Sequence, residues 1–197
     1  RMRSAAMTAS PKEICGKLAD KLGVVLDFKE EKGDPWAAIP AEKWQEACRT
    51  ARDEPELSFN FLRSLCGVDR PDDGVIEIVA HLFSYKHRHG FVMHTKTDRS
   101  APKLDSVSSV WPAAIWHERE TFDLFGVDFP GNPDLRRILL PEDWVGHPLL
   151  KDYEEPESYH GIPTTRPGYE KKAFGPQLKK PPPKKPVPKP EGGENKE

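Results

Sequence analysis

The chain has 197 residues, of which 36% are hydrophobic and 31% charged, and its formal net charge is -2 at pH 7. This length suits one ordinary domain with extensions or two small domains, and the small net charge provides no basic excess for binding nucleic acid. No stretch approaches the roughly 20 apolar residues of a membrane-spanning helix, and three scattered cysteines without a C-x-x-C pair provide no local iron–sulfur or zinc site.

The first predicted helix follows a short N-terminus, residues 1–9, that we expect to be flexible and that lacks the apolar core of a secretory signal. The stretch "PKEICGKLADKLG" spaces Ile14, Leu18 and Leu22 at helical intervals. Ser10 precedes the stretch and is suited to cap it, with a proline in the first helical position.

Two short strands and a second helix are predicted next. "VVLDF" and "WAAIP" are typical of a hairpin around the turn residues of "KEEKGDP". The following stretch, "AEKWQEACRTARD", is a second helix, because Trp44, Ala47 and Cys48 make an apolar stripe along it.

Three longer strands are predicted after that helix. "LSFNFLRSLCGVD" is rich in β-type residues, and "VIEIVAHLFSY" alternates, with Ile76, Ile78 and Ala80 on one face. "FVMHTK" pairs back on it after a turn. The order of elements therefore predicts an α+β fold, a two-layer domain with helices on one face of a mixed, mostly antiparallel sheet.

The C-terminal part begins with a short helical piece predicted in "SVSSVW", which Pro112 separates from a helix over residues 113–125. Gly126 ends this helix. Proline and glycine then recur, which predicts a loop-rich arm, and the last stretch is rich in proline and lysine and is expected to be extended. The predicted organisation is a flexible N-terminus (1–9), an α+β domain (10–125), a looped interface arm (126–160) and an extended tail (161–197).

The helix over residues 113–125 carries charge on its apolar side. Glu118 falls within the arc of the aromatic residues, where a carboxylate costs several kcal/mol unless a cation and hydrogen bonds meet it. The nearest cations in sequence are Arg136 and Arg137, so we expect one of them to pair with Glu118. We expect the other, together with Arg119, to face an acid of this chain (Asp134 or Asp152) or of a partner. Glu120 and Asp123 are predicted on the opposite side of the helix, with Trp116.

An alternative interpretation makes this helix part of a metal site. "HERE" resembles a truncated H-E-x-x-H zinc helix, which would make the chain a free-standing metal-dependent hydrolase using His117 and the nearby acids. Thr121 stands in the place of the second histidine, however, and no nucleophile elbow, phosphate loop or dinucleotide motif accompanies it. We therefore favour structural ion pairs over chemistry.

A long block gives the chain a family resemblance. The stretch "ERETFDLFGVDFPGNPDLRRILLPEDWVGHPLLKDY", residues 118–153, resembles the signature of the 30-kDa-type subunit of the proton-pumping NADH:quinone oxidoreductase, respiratory complex I, and "FNFLRSLCGVD" resembles an upstream block of that family. The resemblance implies a non-catalytic scaffold subunit of the peripheral arm, on the cytoplasmic side of a bacterial inner membrane. It implies no cofactor in this chain, with FMN, iron–sulfur clusters and quinone in partner subunits, chiefly the quinone-cavity subunit and the neighbouring iron–sulfur subunits.

The resemblance also implies which residues form the fold and the interface. Leu150 departs from the family pattern, because relatives commonly have arginine there. The equivalent subunit of a related membrane-bound hydrogenase is an alternative that the same motifs leave open. The structural and interface residues implied are Glu118, Arg119, Glu120, Asp123, Gly126, Pro133, Asp134, Leu135, Arg136, Arg137, Pro148, Lys151, Asp152 and Tyr153.

Overall fold

The computed structural model describes residues 9–30 and 33–164. The chain divides into two compact units, Arg1–Glu154 and Glu155–Glu197. Within the part described, no helix is both long and apolar enough to cross a bilayer. The predictions of a flexible N-terminus, apart from Ala9, and of an extended tail after Thr164 lie outside the described residues.

The centre of the first unit is one five-stranded mixed sheet with the strand order β1-β2-β5-β4-β3. Neighbouring strands are antiparallel except for the pair β2 and β5, which is parallel. This confirms the predicted class of an α+β fold with a mixed, mostly antiparallel sheet. The strands are β1 (Asp27–Lys29), β2 (Trp36–Ala38), β3 (Phe61–Arg70), β4 (Val75–Ser84) and β5 (His89–Asp98).

Three helices pack on the sheet: α1 (Pro11–Leu22), α2 (Trp44–Asp53) and α3 (Ala114–Phe125). The capping predicted for α1 is present, since the Ser10 hydroxyl accepts the N–H of Glu13 at 3.3 Å and the Glu13 carboxylate accepts the N–H of Ser10 at 2.8 Å. Short 3-10 turns, Ala41–Lys43 and Pro71–Asp73, precede α2 and β4. The second unit contains a hairpin of β6 (Ser158–Tyr159) and β7 (Ile162–Pro163).

Two predicted elements differ from the structure. The strand predicted from "VVLDF" begins only at Asp27, because the N–H of Val24 still bonds to the carbonyl of Ala19 at 3.2 Å and closes the end of α1. The helical piece predicted in "SVSSVW" is a turn, in which the N–H groups of Val110 and Trp111 both bond to the carbonyl of Val107 at 2.9 Å. Pro112 follows at once, and the regular helix α3 begins at Ala114.

The two faces of the sheet have different surroundings. Ile76, Ile78 and Ala80 of β4 are fully buried in the hydrophobic core that the helices close, as the alternation predicted. Val79 and Val92 point to the other face and are also buried, but they are not part of that core. The helices therefore cover one face, and the second face carries a separate set of shielded side chains.

Helix α3 comes close to the sheet at Gly67 in β3. A Cβ atom at this position would lie 2.9 Å from Cδ2 of the Phe125 ring, which is nearer than carbon atoms approach in proteins. Gly67 therefore allows the last turn of α3 to lie directly on β3.

We predict that Gly67→Ala lowers the free energy of unfolding by about 1–3 kcal/mol, because the added methyl group overpacks the contact with Phe125. Gly16→Ala in α1 is the matched control. Nothing lies within 4 Å of its new Cβ, so removal of a helical glycine should raise stability by about 0.5–1 kcal/mol. Urea unfolding of both variants measures the difference, and a Gly67→Ala protein as stable as the parent would contradict this packing.

Candidate functional site

The charged residues singled out in the sequence gather around α3 and the chain that follows it. Residues 126–154, the portion of the predicted looped region that lies in the first unit, are called the arm below. Glu118, Arg119 and Asp123 of α3 are all buried, although they leave the helix in different directions. The helix is therefore covered on more than the one side that its apolar residues predicted.

Asp123 anchors the arm to α3. One oxygen of its carboxylate accepts three consecutive backbone N–H groups, from Ile138, Leu139 and Leu140, at 2.7–3.0 Å. The other oxygen accepts Nη1 of Arg137 at 2.7 Å. Burial alone would raise the pKa of this fully buried carboxyl, but the hydrogen bond from Leu140, the one from Arg137 and the other two outweigh it and hold the pKa below its ordinary value.

Asp123 was predicted on the side of α3 away from the apolar arc, and this side is not open to solvent at Asp123. The helical wheel does place it away from the apolar arc, but the arm returns over that side and encloses it. Glu120 and Trp116, predicted on the same side, are exposed. The arm has no regular periodicity, and its path could not be read from the sequence.

Arg137 closes a loop of the arm around its guanidinium group. Beyond its bond to Asp123, its Nη2 donates to the backbone carbonyl of Trp144 at 2.9 Å and to that of Gly146 at 3.1 Å. One planar side chain thus joins the helix to two points of the loop that follows it, which is the geometry that arginine supplies and lysine does not.

Glu118 is held in a different way from the one predicted. Its carboxylate accepts the Ser106 hydroxyl at 2.7 Å, the Val107 N–H at 2.8 Å and the Asn132 side-chain amide at 2.7 Å. The expected pair with Arg136 or Arg137 was wrong, because Arg137 bonds to Asp123 and the exposed Arg136 bonds to Asp134 at 2.8 Å. The contact of Arg136 with Asp134 is one of those expected for the arginine that does not meet Glu118.

Three neutral donors therefore replace a cation at Glu118. Glu118 is fully buried, and burial raises the pKa of its carboxyl group. The three hydrogen bonds lower the pKa, but their effect is smaller than that of burial.

We predict that Glu118→Gln costs about 1–3 kcal/mol of stability, because the amide NH₂ must face one of three hydrogen-bond donors. A carboxyl whose pKa is raised by folding contributes stability that is complete below its ordinary pKa and lost as the pH rises through the folded pKa. The cost of Glu118→Gln should therefore shrink as the pH rises from the ordinary glutamate pKa upward. Urea unfolding of both proteins at several pH values measures this, and a cost that grows with pH would contradict it.

Arg119 and Asp134 pair, as predicted. Nη1 of Arg119 lies 3.3 Å from Oδ2 of Asp134, and the same guanidinium donates to the backbone carbonyls of Arg136 at 3.1 Å and Arg137 at 3.0 Å. Its Cζ also lies 5.0 Å from the centroid of the Trp116 ring. Arg119 is thus a second buried connection between α3 and the start of the arm.

The end of the arm is tied to the sheet by a residue that the sequence did not single out. Arg99, just after β5, grips the buried carboxylate of Asp69 with two bonds of 2.7 and 3.1 Å, and its Nη2 also lies 2.5 Å from Oδ1 of Asp152. The N–H of Lys151 donates to the same carboxylate of Asp69 at 2.7 Å. The hydrogen bond from Arg99 is the main cause that lowers the pKa of Asp69, against the effect of burial.

The remaining residues of the signature stabilise turns of the arm. Gly126 has φ +79°, and a Cβ there would lie 2.8 Å from the His147 ring, so the helix end requires glycine. The Tyr153 hydroxyl accepts Nε1 of Trp144 at 2.9 Å. Leu150, which stands where relatives commonly have arginine, packs against the hydrophobic core instead of making an ionic contact. The predicted site residues that point outward or lie at the surface are Glu120, Pro133, Arg136, Lys151 and Asp152.

The arm also presents apolar side chains to solvent. Leu139 is 61% exposed although its backbone N–H is fixed on the buried carboxylate of Asp123. Because the backbone at Leu139 is already fixed, little backbone freedom would be lost if a partner bound this side chain. The exposed apolar residues of α3 and the arm are Trp116, Ile138, Leu139, Val145 and Leu149.

The alternative interpretation as a metal site requires a cluster of metal-binding side chains. No set of three or more histidine, cysteine, aspartate or glutamate side chains in the described part of the chain is placed to hold a metal ion. His117 is half-buried, and its carbonyl accepts the hydroxyl of Thr121, the residue in the place of the second zinc-helix histidine.

The family model and the relatives that match this chain describe subunits of NADH dehydrogenases. Residues 37–159 match the family described as "Respiratory-chain NADH dehydrogenase, 30 Kd subunit". The chain is 45% identical to the corresponding NADH-quinone oxidoreductase subunit of Roseiflexus sp. (strain RS-1) over 129 residues, which is 65% of this chain and 74% of that protein. It is 38% identical to the corresponding subunit of Acidithiobacillus ferrooxidans (strain ATCC 53993 / BNL-5-31) over 155 residues, 75% of this chain and 77% of that protein.

Two solved structures share the fold. The trypsin-resistant fragment (1–134) of Nqo5 superposes with a TM-score of 0.52 at 27% identity, covering 63% of this chain and 98% of the fragment. A chain of the membrane-bound sulfane sulfur reductase, an archaeal respiratory membrane complex, superposes with a TM-score of 0.56 at 25% identity, covering 67% of this chain and 77% of that one.

Proposed function

This chain belongs to the family of the 30 kDa subunit of respiratory-chain NADH dehydrogenase, and from that membership we propose that it is a non-catalytic structural subunit of a proton-translocating NADH:quinone oxidoreductase. Its place is the peripheral arm of the complex, where it docks on the quinone-cavity subunit beside the iron–sulfur subunits. FMN, the iron–sulfur clusters and quinone belong to those partners. The complex holds the chain at the cytoplasmic side of a bacterial inner membrane.

The observation that supports this proposal is that buried charged residues of the chain hydrogen-bond to other parts of the same chain. Asp123, Arg119 and Asp69 are each occupied by hydrogen bonds from within the chain, and each bond fixes part of the arm against α3 or the sheet. Groups that are fully engaged in holding a shape are not available to bind substrate or transfer protons. The product of this arrangement is a rigid arm with apolar side chains outside, such as Leu139 and Val145.

A related complex that does not use NADH is the second candidate. The likeness to a chain of the sulfane sulfur reductase complex favours it, because that structure superposes about as well as the Nqo5 fragment. The relatives from Roseiflexus and Acidithiobacillus, at 45% and 38% identity, are named as NADH-quinone oxidoreductase subunits, which supports the first candidate. Purification of the complex from native membranes and identification of its chains distinguishes them, since only the first includes an NADH-oxidising subunit.

The docking role is tested with a charge placed on the arm. Leu139→Glu should reduce the amount of assembled complex in membranes, because a carboxylate at the centre of an apolar interface is desolvated without a partner. Ile162→Glu is the matched control: its side chain is similarly exposed, at 69% against 61%, but it lies outside the residues that match the family. Native gels of the membranes measure assembly, and equal assembly of both variants would contradict docking through the arm.

A further inference from the structure

The face of the sheet opposite the helices, called the open face below, is built differently from an ordinary solvent-facing sheet surface. The strand register places Cys66, Val79 and His94 side by side across β3, β4 and β5, and Trp36 of β2 opposite Val92. Val79 and Val92 are only 8% and 6% exposed, although they lie outside the core that α1, α2 and α3 close within the described residues. The centre of this face is therefore apolar and buried.

The acid of the open face is neutralised within the chain. Glu77 is buried, accepts Nε of Arg70 at 2.6 Å and contacts Nδ1 of His94 at 2.9 Å. The His94 ring in turn stacks on Trp36 with centroids 4.1 Å apart. This group of four residues fixes the orientation of the side chains at the β2 end of the face and engages both carboxylate oxygens of Glu77. The other carboxylate that lines this end, that of Asp27, pairs with Lys29.

Two cations of the same face form no ion pair in the part of the chain that the structure describes, although Asp34 lines the same pocket as one of them, Arg63. Lys96 lies directly opposite Glu77 in the register, and Arg63 stands at the bulge of β3 beside His81, on the other side of the apolar centre. Both side chains are exposed. Glu77 and His81 are four residues apart on one strand, so these two positions are separated by roughly 13 Å.

A cavity of about 480 Å³ opens at the Lys96 end of this face. Its walls include Trp36, Glu77, His94 and Lys96. Lys29 also lines it but is paired with Asp27 at 3.1 Å, so Lys96 is the unpaired cation among these side chains. The cavity is large enough to receive a side chain from outside the chain, and the charge beside it favours a carboxylate.

We propose that the open face is a second docking surface, and that its occupant is an acidic segment of another subunit of the same complex. One carboxylate of that segment pairs with Lys96 at the cavity, a second pairs with Arg63, and apolar side chains between them cover Val79 and Cys66. This inference rests on the proposed function for the existence of the complex. Beyond the proposed function, the inference adds a docking surface on the side of the sheet opposite the helices, and it states that the partner segment there is acidic.

The exposed thiol of Cys66 reports on occupation of this face. Cys15 and Cys48 are buried and serve as internal controls for unfolding. In the full-length chain alone, maleimide should label Cys66 and spare the other two thiols. In the complex purified from membranes, Cys66 should be labelled as slowly as those controls. A complex that contains the chain but labels Cys66 at the rate of the free chain overturns the inference and leaves the proposed function standing.

The charge of the occupant is tested in the same purified complex. A carbodiimide, which joins an amine to a carboxylate in contact with it, should link Lys96 to an aspartate or glutamate of another subunit. Lys96→Glu should weaken retention of the chain in the complex at least about tenfold, because the new carboxylate repels the carboxylate of the docking segment. Arg49→Glu, which replaces an exposed cation on α2, is the control and should have no effect.

Three further results would overturn the inference. Links from Lys96 only to carboxylates of this same chain or of a second copy would assign the face to another occupant. Equal retention of Lys96→Glu and Arg49→Glu would remove the role of charge. Absence of the chain from the purified complex would overturn the inference and the proposed function together.

Discussion

Replacing Asp123 with alanine is expected to lower the free energy of unfolding by about 3–5 kcal/mol, because the change leaves the Arg137 guanidinium without its buried counter-charge. Three backbone N–H groups of the arm, those of Ile138, Leu139 and Leu140, lose their acceptor at the same time. Urea unfolding at neutral pH measures the effect. The arm should become accessible to protease before the rest of the domain, since its attachment to α3 is what the substitution removes.

The matched control is Glu120→Ala, which removes an exposed carboxylate from the same helix. We expect it to change stability by no more than about 0.5 kcal/mol. The pKa of Asp123 is lowered by folding, so its contribution is present above the ordinary aspartate pKa and is lost as the pH falls through the folded pKa. The difference between the parent and Asp123→Ala should therefore shrink in acid. Equal stability of the two alanine variants at neutral pH would show that the carboxylate of Asp123 does not hold the arm.

Arg99→Leu is expected to have the second largest effect. It leaves the buried carboxylate of Asp69 with the N–H of Lys151 but without a cation, and it releases Asp152 at the end of the arm. The pKa of Asp69 should move upward in the variant, so the loss of stability should be greatest at neutral pH and decrease as the pH falls. Thermal unfolding at several pH values follows both effects.

A second substitution separates charge from packing at this site. Asp69→Asn removes the uncompensated charge while its side-chain carbonyl still accepts the N–H of Lys151, so the double variant Arg99→Leu/Asp69→Asn should recover more than half of the stability lost in Arg99→Leu. If the double variant is instead less stable than either single variant, the contribution of Arg99 is packing or hydrogen bonding and not neutralisation of a buried acid.

The parts of this structure that the sequence predicted are those governed by local rules. Ser10 caps α1 and Gly126 ends α3 because both act on backbone groups within a few residues of themselves. The buried face of β4 follows from simple alternation through Ile76 and Ile78. These features depend on short segments of chain, and one sequence is sufficient to identify them.

The site was predicted less well, because its contacts join distant segments. Glu118 was matched with an arginine on the basis of charge. Its partners are instead the Ser106 hydroxyl, the Asn132 side-chain amide and the Val107 backbone N–H, and nothing in the sequence distinguishes these three from ordinary loop residues. Arg99 reaches Asp69 only because β3, β4 and β5 lie side by side. No residue in the sequence predicts the register of these strands. The burial of Asp123 depends on the return of an irregular arm.

These contacts change the role we assign to the charged signature. The sequence alone suggested that acids and arginines of residues 118–153 form the fold and an interface with a partner. In the structure, Asp123, Arg119 and Arg137 are occupied inside the chain, and the groups left facing solvent on the arm include apolar side chains such as Leu139. We therefore propose that the ionic residues set the shape of the arm and that apolar residues make the contact.

The most direct test of a purely structural role is the turnover of each assembled complex in membranes that contain the Asp123→Ala variant. Quinone reduction by NADH is divided by the amount of complex, which is quantified on native gels. We expect the amount of complex to fall and the turnover of each remaining complex to stay at the parental value, since the chain supplies shape and not chemistry. Normal amounts of complex with lost turnover would contradict this account.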